Sequence, residues 1–307
     1  QSDIMFDTAT RWGKAMEVSE AMPKVLVTRS LPESILAPLR SIAEVDVWQQ
    51  PRQIGRAQLL DRAGSVDGLL CMLTEQVDTE LLQRCPVLRV VSTLSVGIDN
   101  IDEADLSDRG IPIGHTPGVL VETTADLTFA LLLAAARRVV EADGYIRDSC
   151  WQDDNRWSPD MLLGRDLNGA TLAIIGLGAI GQAVARRAAA FNMRVVGWSP
   201  SGRELAGAET SGLDDLLSQA DFISINIALA PATRMLLDEQ AFNRVKHGAV
   251  LVNTARGGIV DEAAMCKALR SGRLFAAGID VFEREPLAPQ SELLGLPNVV
   301  LTPHIGS

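Results

Sequence analysis

Three polar residues stand where buried strands are expected to end. Arg256 lies in Leu251-Val252-Asn253-Thr254-Ala255-Arg256-Gly257-Gly258, Glu285 in Ile279-Asp280-Val281-Phe282-Glu283-Arg284-Glu285-Pro286, and His304 closes Leu301-Thr302-Pro303-His304. A guanidinium can grip a carboxylate in a bidentate fork and polarise the neighbouring oxo group. An imidazole can give a proton to that oxygen as hydride reaches its carbon, if a carboxylate keeps the ring protonated. Glu285 is the candidate partner for His304, and the set reads as chemistry for hydride transfer to a 2-oxo acid. Singly, each residue has a plainer reading: His304 as a strand cap, Glu285 as a solvated side chain, Arg256 as an ion-pair partner of Asp261 or Glu262. Together, downstream of one nucleotide-binding motif, they favour the catalytic reading.

That chemistry needs a hydride source, and one motif offers it a place. Ile174-Ile175-Gly176-Leu177-Gly178-Ala179-Ile180-Gly181 leads an apolar strand into G-x-G-x-x-G and on into the helical Gln182 to Ala190. Gly176 permits the tight turn, Gly178 lets the backbone touch a pyrophosphate, and Gly181 lets the helix lie close to the sheet. The helix N-terminus then offers unpaired N–H groups to the phosphates. The motif alone also fits a merely structural turn, but a second strand, Arg194 to Trp198, follows at βαβ spacing. An acid at the end of that strand would bind the ribose hydroxyls and repel a 2′-phosphate. Ser199 stands there instead, with Arg203 close behind. The pair leans the expectation towards NADP, with NAD tolerated; a solvent-facing loop without bearing on the cofactor is the plainer reading.

The elements that must position these residues alternate along the chain. Val25 to Thr28, Val45 to Trp48, Gly68 to Met72, Arg89 to Thr93 and Ile111 to Gly114 read as short strands, with helical spacing between them, as in Ser34 to Ile42 and Thr79 to Arg84. A second series follows: Thr171 to Ile175, Arg194 to Trp198, Phe222 to Ile227, Ala249 to Asn253, Ala276 to Ile279 and Val299 to Leu301. Such alternation predicts two doubly wound α/β domains with parallel sheets, and an interdomain cleft as the ligand site. Residues 22–121 are expected to form the first domain and 122–303 the dinucleotide-binding one, with 304–307 rejoining the first. A long helix, Glu122 to Val140, is expected to lead across, and Arg147 to Asn168 reads as a loop or arm suited to dimer contacts. Residues 1–21 read as a tag remnant and N-terminal extension.

Composition narrows the partners. The chain has 307 residues, 47% hydrophobic and 22% charged, with a formal net charge of −11. That balance argues against nucleic-acid and membrane-surface partners. The most apolar run, Leu127 to Ala136, is too short to span a bilayer, and no leader peptide is evident. Cys71, Cys85, Cys150 and Cys266 show no paired spacing and read as reduced thiols of a cytoplasmic protein. His115 and His247 read as structural, and no metal site is expected.

Gly176 to Gly181, Asn253 to Gly257, Ile279 to Pro286 and Thr302 to Gly306, taken in order, closely resemble the signatures of the D-isomer-specific 2-hydroxyacid dehydrogenase family. The likeness runs from Met22 onward. It is nearest the glyoxylate/hydroxypyruvate reductase branch through Ser95-Val96-Gly97-Ile98-Asp99-Asn100-Ile101-Asp102 and the stretch from His115-Thr116-Pro117-Gly118 to Arg137-Arg138. The resemblance implies Arg256 as substrate anchor, His304 as acid/base and Glu285 as its partner. It implies that the Ser95-Val96-Gly97 turn gives N–H groups to the substrate carboxylate; Leu73, Leu94 and Trp157 are candidates to line the pocket, though their sizes do not choose between glyoxylate and hydroxypyruvate. For the cofactor it implies Ala179 and Ile180 at the pyrophosphate turn, Ser199 at the ribose, Ala228 by the adenosine and Thr124 on the crossing helix. Thr254 and Asp280 would frame the nicotinamide, Asp280 accepting from its carboxamide, while Ala255 and Gly306 belong to the same cofactor-facing motifs. A D product and a C-terminal helix beyond Ser307 are implied as well, while the homodimer is expected from the arm over Arg147 to Asn168. Val96 stands where phosphite-oxidising relatives carry Lys. Two other readings stay open: a cofactor-sensing corepressor that keeps the same side chains, and a dehydrogenase for a bulkier acid such as phosphoglycerate.

Overall fold

In parallel sheets both faces are covered, so strands read as continuous apolar runs rather than alternating ones. The central strands of the second sheet follow that pattern in the computed structural model, which describes residues 22–204 and 208–307. The expected extension over residues 1–21 lies outside the described residues. The described residues divide into two compact units, the first ending at Thr116 and the second spanning Pro117–Ser307. The division falls a few residues before the expected boundary at 121, and residues 304–307 lie within the second unit.

The first unit holds β1 (Lys24–Val27), α1 (Glu33–Arg40), β2 (Glu44–Val47), α2 (Arg56–Ala63) and β3 (Gly68–Cys71). It continues through α3 (Thr79–Arg84), β4 (Val90–Thr93), α4 (Glu103–Asp108) and β5 (Ile113–Gly114). Its five strands are parallel in the order β2-β1-β3-β4-β5. Leu26, Leu69, Val91, Leu81 and Leu106 form its fully buried centre.

The second unit opens on two helices, α5 (Val121–Ala136) and α6 (Val139–Arg147), then runs β6 (Thr171–Ile175), α7 (Ala179–Ala190), β7 (Arg194–Trp198), β8 (Glu209–Thr210) and α8 (Leu213–Gln219). There follow β9 (Phe222–Ile225), α9 (Glu239–Arg244), β10 (Ala249–Asn253), α10 (Glu262–Arg270), β11 (Leu274–Ile279) and β12 (Val299–Leu301). The sheet order is β12-β11-β10-β9-β6-β7-β8, all parallel. Every residue of β6, β9 and β10 is buried. The order reverses between β6 and β9, and ligands in such sheets bind at the carboxyl ends of strands beside that switch point.

Several strands begin or end a residue or two from expectation, such as β5, β9 and β11, and two elements differ more deeply. The single helix expected over 122–140 breaks at Arg138, which adopts φ 53°. Its guanidinium pairs with Glu141 at 2.6 Å, and the Arg165 N–H donates to the Ala136 carbonyl at the helix end. The edge strand β8 has two exposed residues and no apolar run to announce it. Among the described residues no helix is long and apolar enough to cross a membrane.

Candidate active site

At the switch point, β6 passes into α7 through the glycine motif. Gly176 has φ 104°, and a Cβ there would sit 2.6 Å from the Asn226 backbone, so only glycine fits. A Cβ on Gly181 would meet the Gly176 carbonyl oxygen at 2.1 Å, which explains the close packing of helix on turn. Gly178, at the N-cap of α7, faces open space and brings no capping side chain. A helix start without a side-chain cap leaves its first N–H groups to other partners, and a phosphate suits them in charge and geometry. Beside it, Asn226 Nδ2 is buried without a partner while its Oδ1 accepts from Ser224 Oγ at 2.8 Å. This cradle, which side chains would fill at two of its three glycines, fits a dinucleotide. Ala179 and Ile180 form the first turn of α7. Ala228, in the loop after β9, is exposed, its carbonyl accepting from Thr233 Oγ1. Ser199, just past β7, accepts from the Arg203 N–H at 2.9 Å, and both residues lie at the surface or partly exposed.

His304 and Glu285 meet directly: Nδ1 lies 2.8 Å from Oε2. Burial pushes the Glu285 carboxyl up. The His304 hydrogen bond, the Phe282 N–H at 3.0 Å and the charges of His304 and Arg256 outweigh it and hold the group below its ordinary value. An ionised carboxylate can only accept, so the shared proton resides on Nδ1 of the ring. His304 itself adopts φ 56°, a left-handed conformation that costs a non-glycine residue roughly 1–2 kcal/mol.

Asp280 holds that conformation in place. It is 0% exposed, and its Oδ1 accepts from Thr302 Oγ1 and the Ile305 N–H, its Oδ2 from the Gly306 N–H. Its own carbonyl accepts from the His304 N–H at 2.8 Å. The carboxylate expected to receive a carboxamide is thus engaged by its own chain on both oxygens. Thr124 is also turned to this loop, its hydroxyl donating to the Gly306 carbonyl at 2.7 Å.

Arg256 projects from the turn after β10. Asn253 shapes that turn, its Oδ1 accepting from the Ala255 N–H and its Nδ2 donating to the Arg256 carbonyl. The Arg256 Nη1 donates to the Ala255 carbonyl at 2.8 Å. Gly257 lets this turn touch the one that carries Glu285: a Cβ there would lie 1.9 Å from the Phe282 backbone. Of the two acids that follow in sequence, Asp261 caps α10 by accepting from the Ala264 N–H, and Glu262 accepts from the Glu283 N–H and from Ser291. Thr254 is buried, its hydroxyl 2.8 Å from that of Thr128. Thr128, Asn253 and Thr302 are absent from the residues expected at the site. Thr128 sits one turn after Thr124 on α5, where an apolar stretch masks it; Asn253, a polar residue ending a buried strand, carries the readable signal.

The substrate residues expected in the first unit lie at the carboxyl ends of its strands. Leu73 is half-buried just after β3, and Ser95, 3% exposed, follows β4 into the half-buried Val96 and Gly97. A groove of about 840 Å³ in the second unit lies instead at the amino ends of β11 and β12, lined among others by Arg138, Tyr145 and Phe275, and includes none of the site residues. Among the described residues no group of His, Cys, Asp or Glu is arranged to hold a metal.

Residues 129–306 match the family model for the D-isomer specific 2-hydroxyacid dehydrogenase, NAD binding domain. A glyoxylate reductase of Korarchaeum cryptofilum is 45% identical over 289 residues, covering 93% of this chain and 86% of that one. The chain belongs to the D-isomer-specific 2-hydroxyacid dehydrogenase family. It is therefore a nicotinamide-dependent oxidoreductase. The TT0316 protein from Thermus thermophilus superposes with a TM-score of 0.86 at 47% identity, covering 92% of this chain and 90% of that one. An NADPH-dependent glyoxylate/hydroxypyruvate reductase from Sinorhizobium meliloti, solved with NADP and malonate, gives 0.82 at 30% identity, covering 94% and 88%. Both likenesses extend over the two parallel-sheet units and support the fold read from alternation.

Proposed function

We propose that this enzyme reduces a small 2-oxo acid, glyoxylate or hydroxypyruvate, to the 2-hydroxy acid, of D configuration where the product is chiral. When bound, the reduced nicotinamide supplies hydride to the oxo carbon. Arg256 grips the substrate carboxylate and polarises the oxo group. His304 donates the Nε2 proton to the oxygen as negative charge develops there, and Glu285 fixes the ring by holding Nδ1. The Ser95-Val96-Gly97 turn binds the carboxylate through N–H groups. The observation that carries this reading is the 2.8 Å contact of His304 with a carboxylate kept ionised.

On the cofactor, the glycine cradle and the start of α7 hold the pyrophosphate, with Thr124, Thr254 and Asp280 near the nicotinamide. Ser199 and Arg203 favour NADPH, because no acid at the end of β7 repels a 2′-phosphate. We further propose a homodimer. Val139, Val140, Ile146, Trp151, Trp157 and Leu163 are all exposed within one stretch of sequence, and a partner copy would bury such apolar side chains. The four free thiols suit a reducing, cytoplasmic setting.

An initial-rate panel of 2-oxo acids, each with NADH and NADPH, tests the reading, together with the configuration of glycerate formed from hydroxypyruvate. Turnover favouring small 2-oxo acids with NADPH and D-glycerate as product supports it. L-glycerate, or tight cofactor binding without turnover of any acid, overturns it.

A further inference from the structure

In a trans peptide the C=O of one residue and the N–H of the next lie in one plane and point in opposite directions. A donor that pins a carbonyl therefore also aims the N–H that follows. Three successive carbonyls of the Ser95-Val96-Gly97 turn are pinned within the first unit. Ser95 O accepts from the Thr116 N–H at 2.9 Å. Gly97 O accepts from Ser95 Oγ at 2.6 Å, and that buried hydroxyl is itself 2.9 Å from Thr93 Oγ1. Val96 O lies 3.0 Å from His115 Nδ1. Because a carbonyl only accepts, His115 must carry a proton on Nδ1.

The middle pin differs from its neighbours. One flanking carbonyl is held by backbone and the other by a buried hydroxyl, whereas Val96 O depends on an exposed side chain. The peptide it fixes is followed by Gly97, which has no Cβ to resist rotation. Without its donor, that peptide is free to turn its carbonyl, the negative end of its dipole, towards an arriving anion.

We propose that His115, expected from the sequence to be merely structural, is a positioning residue for the substrate: its Nδ1–H locks the Val96–Gly97 peptide and so aims the Gly97 N–H at the substrate carboxylate. This rests on the proposed reading of the turn as the carboxylate site. Asn offers Nδ2 on the same γ-carbon that bears Nδ1 in histidine, so it presents an equivalent donor; Leu offers none.

The test compares the full-length His115→Leu, His115→Asn and Val96→Pro variants, measuring KM and kcat for hydroxypyruvate, NADPH affinity by fluorescence, and Tm. His115→Leu should raise KM by about 3- to 10-fold, the worth of one ordinary hydrogen bond. Its kcat, NADPH affinity and Tm should hold, and His115→Asn should restore KM. Val96→Pro, which deletes a turn N–H, should raise KM whether or not His115 matters. An unchanged KM in His115→Leu beside a raised KM in Val96→Pro overturns the role of His115 alone. Unchanged KM in both overturns the reading of the turn. Equal rises in the Leu and Asn variants, or a parallel fall in NADPH affinity and Tm, overturn the donor role.

Discussion

Replacing Asp280 with Asn keeps shape and volume but turns one acceptor oxygen into a donor. Whichever way the amide is placed, an NH2 group faces at least one of three donors: Thr302 Oγ1, the Ile305 N–H or the Gly306 N–H. At a residue 0% exposed, no water relieves that conflict. Losing one hydrogen bond to a carboxylate and stranding a buried donor should together cost about 2–5 kcal/mol. For a unit of this size that corresponds to a Tm lower by roughly 5–15 °C. The same loop holds His304 at φ 56°, so loosening it should misplace the ring and lower kcat. A double-mutant cycle separates this from a direct contact with cofactor: in a His304→Ala background, Asp280→Asn should change kcat by no more than about twofold. Wild-type Tm and kcat in Asp280→Asn, or the same loss of kcat with and without His304, would refute the reasoning.

Further outcomes follow from the same geometry. Arg256→Ala should abolish most turnover and weaken 2-oxo acid binding while NADPH affinity, read by fluorescence, holds; unaltered kinetics would remove the anchor role. Glu285 has a folded pKa below its unfolded value, so its stabilisation is fully present above the ordinary carboxyl range near ~4.3 and is lost as pH falls through the folded value. Melting curves between neutrality and acid should accordingly show wild type and Glu285→Gln converging at low pH, and a constant gap would contradict the pairing. Gly257→Ala drives a methyl into the Phe282 backbone, a clash at 1.9 Å. Soluble protein with normal kcat would show that the approach of the two turns matters little to catalysis.

Much of the framework is legible in the sequence because its strands carry short apolar runs. Thr171–Ile175, Arg194–Trp198, Ala249–Asn253 and Val299–Leu301 form at the expected residues. The glycine turn is legible for a related reason, since two of its glycines answer steric demands that no other residue meets. The meeting of Glu285 with His304 is readable as a candidate, because both follow strands of one sheet. What escapes is contact between side chains and distant backbone. Asp280 meets N–H groups 25 and 26 residues later, and neither donor leaves a mark on residue type. His115 gives no sign either, because its partner is the carbonyl of Val96, 19 residues away, which every residue possesses. The break at Arg138 is hidden too, as arginine is an ordinary helix residue and only its φ of 53° reveals the turn.

Proton donation by a histidine held by a carboxylate is the central claim, and single-turnover reduction of hydroxypyruvate followed by NADPH absorbance tests it most directly. His304→Gln should slow that step by about two to four orders of magnitude, the range expected for loss of a general acid, with NADPH affinity unchanged. A wild-type rate in His304→Gln would contradict the claim.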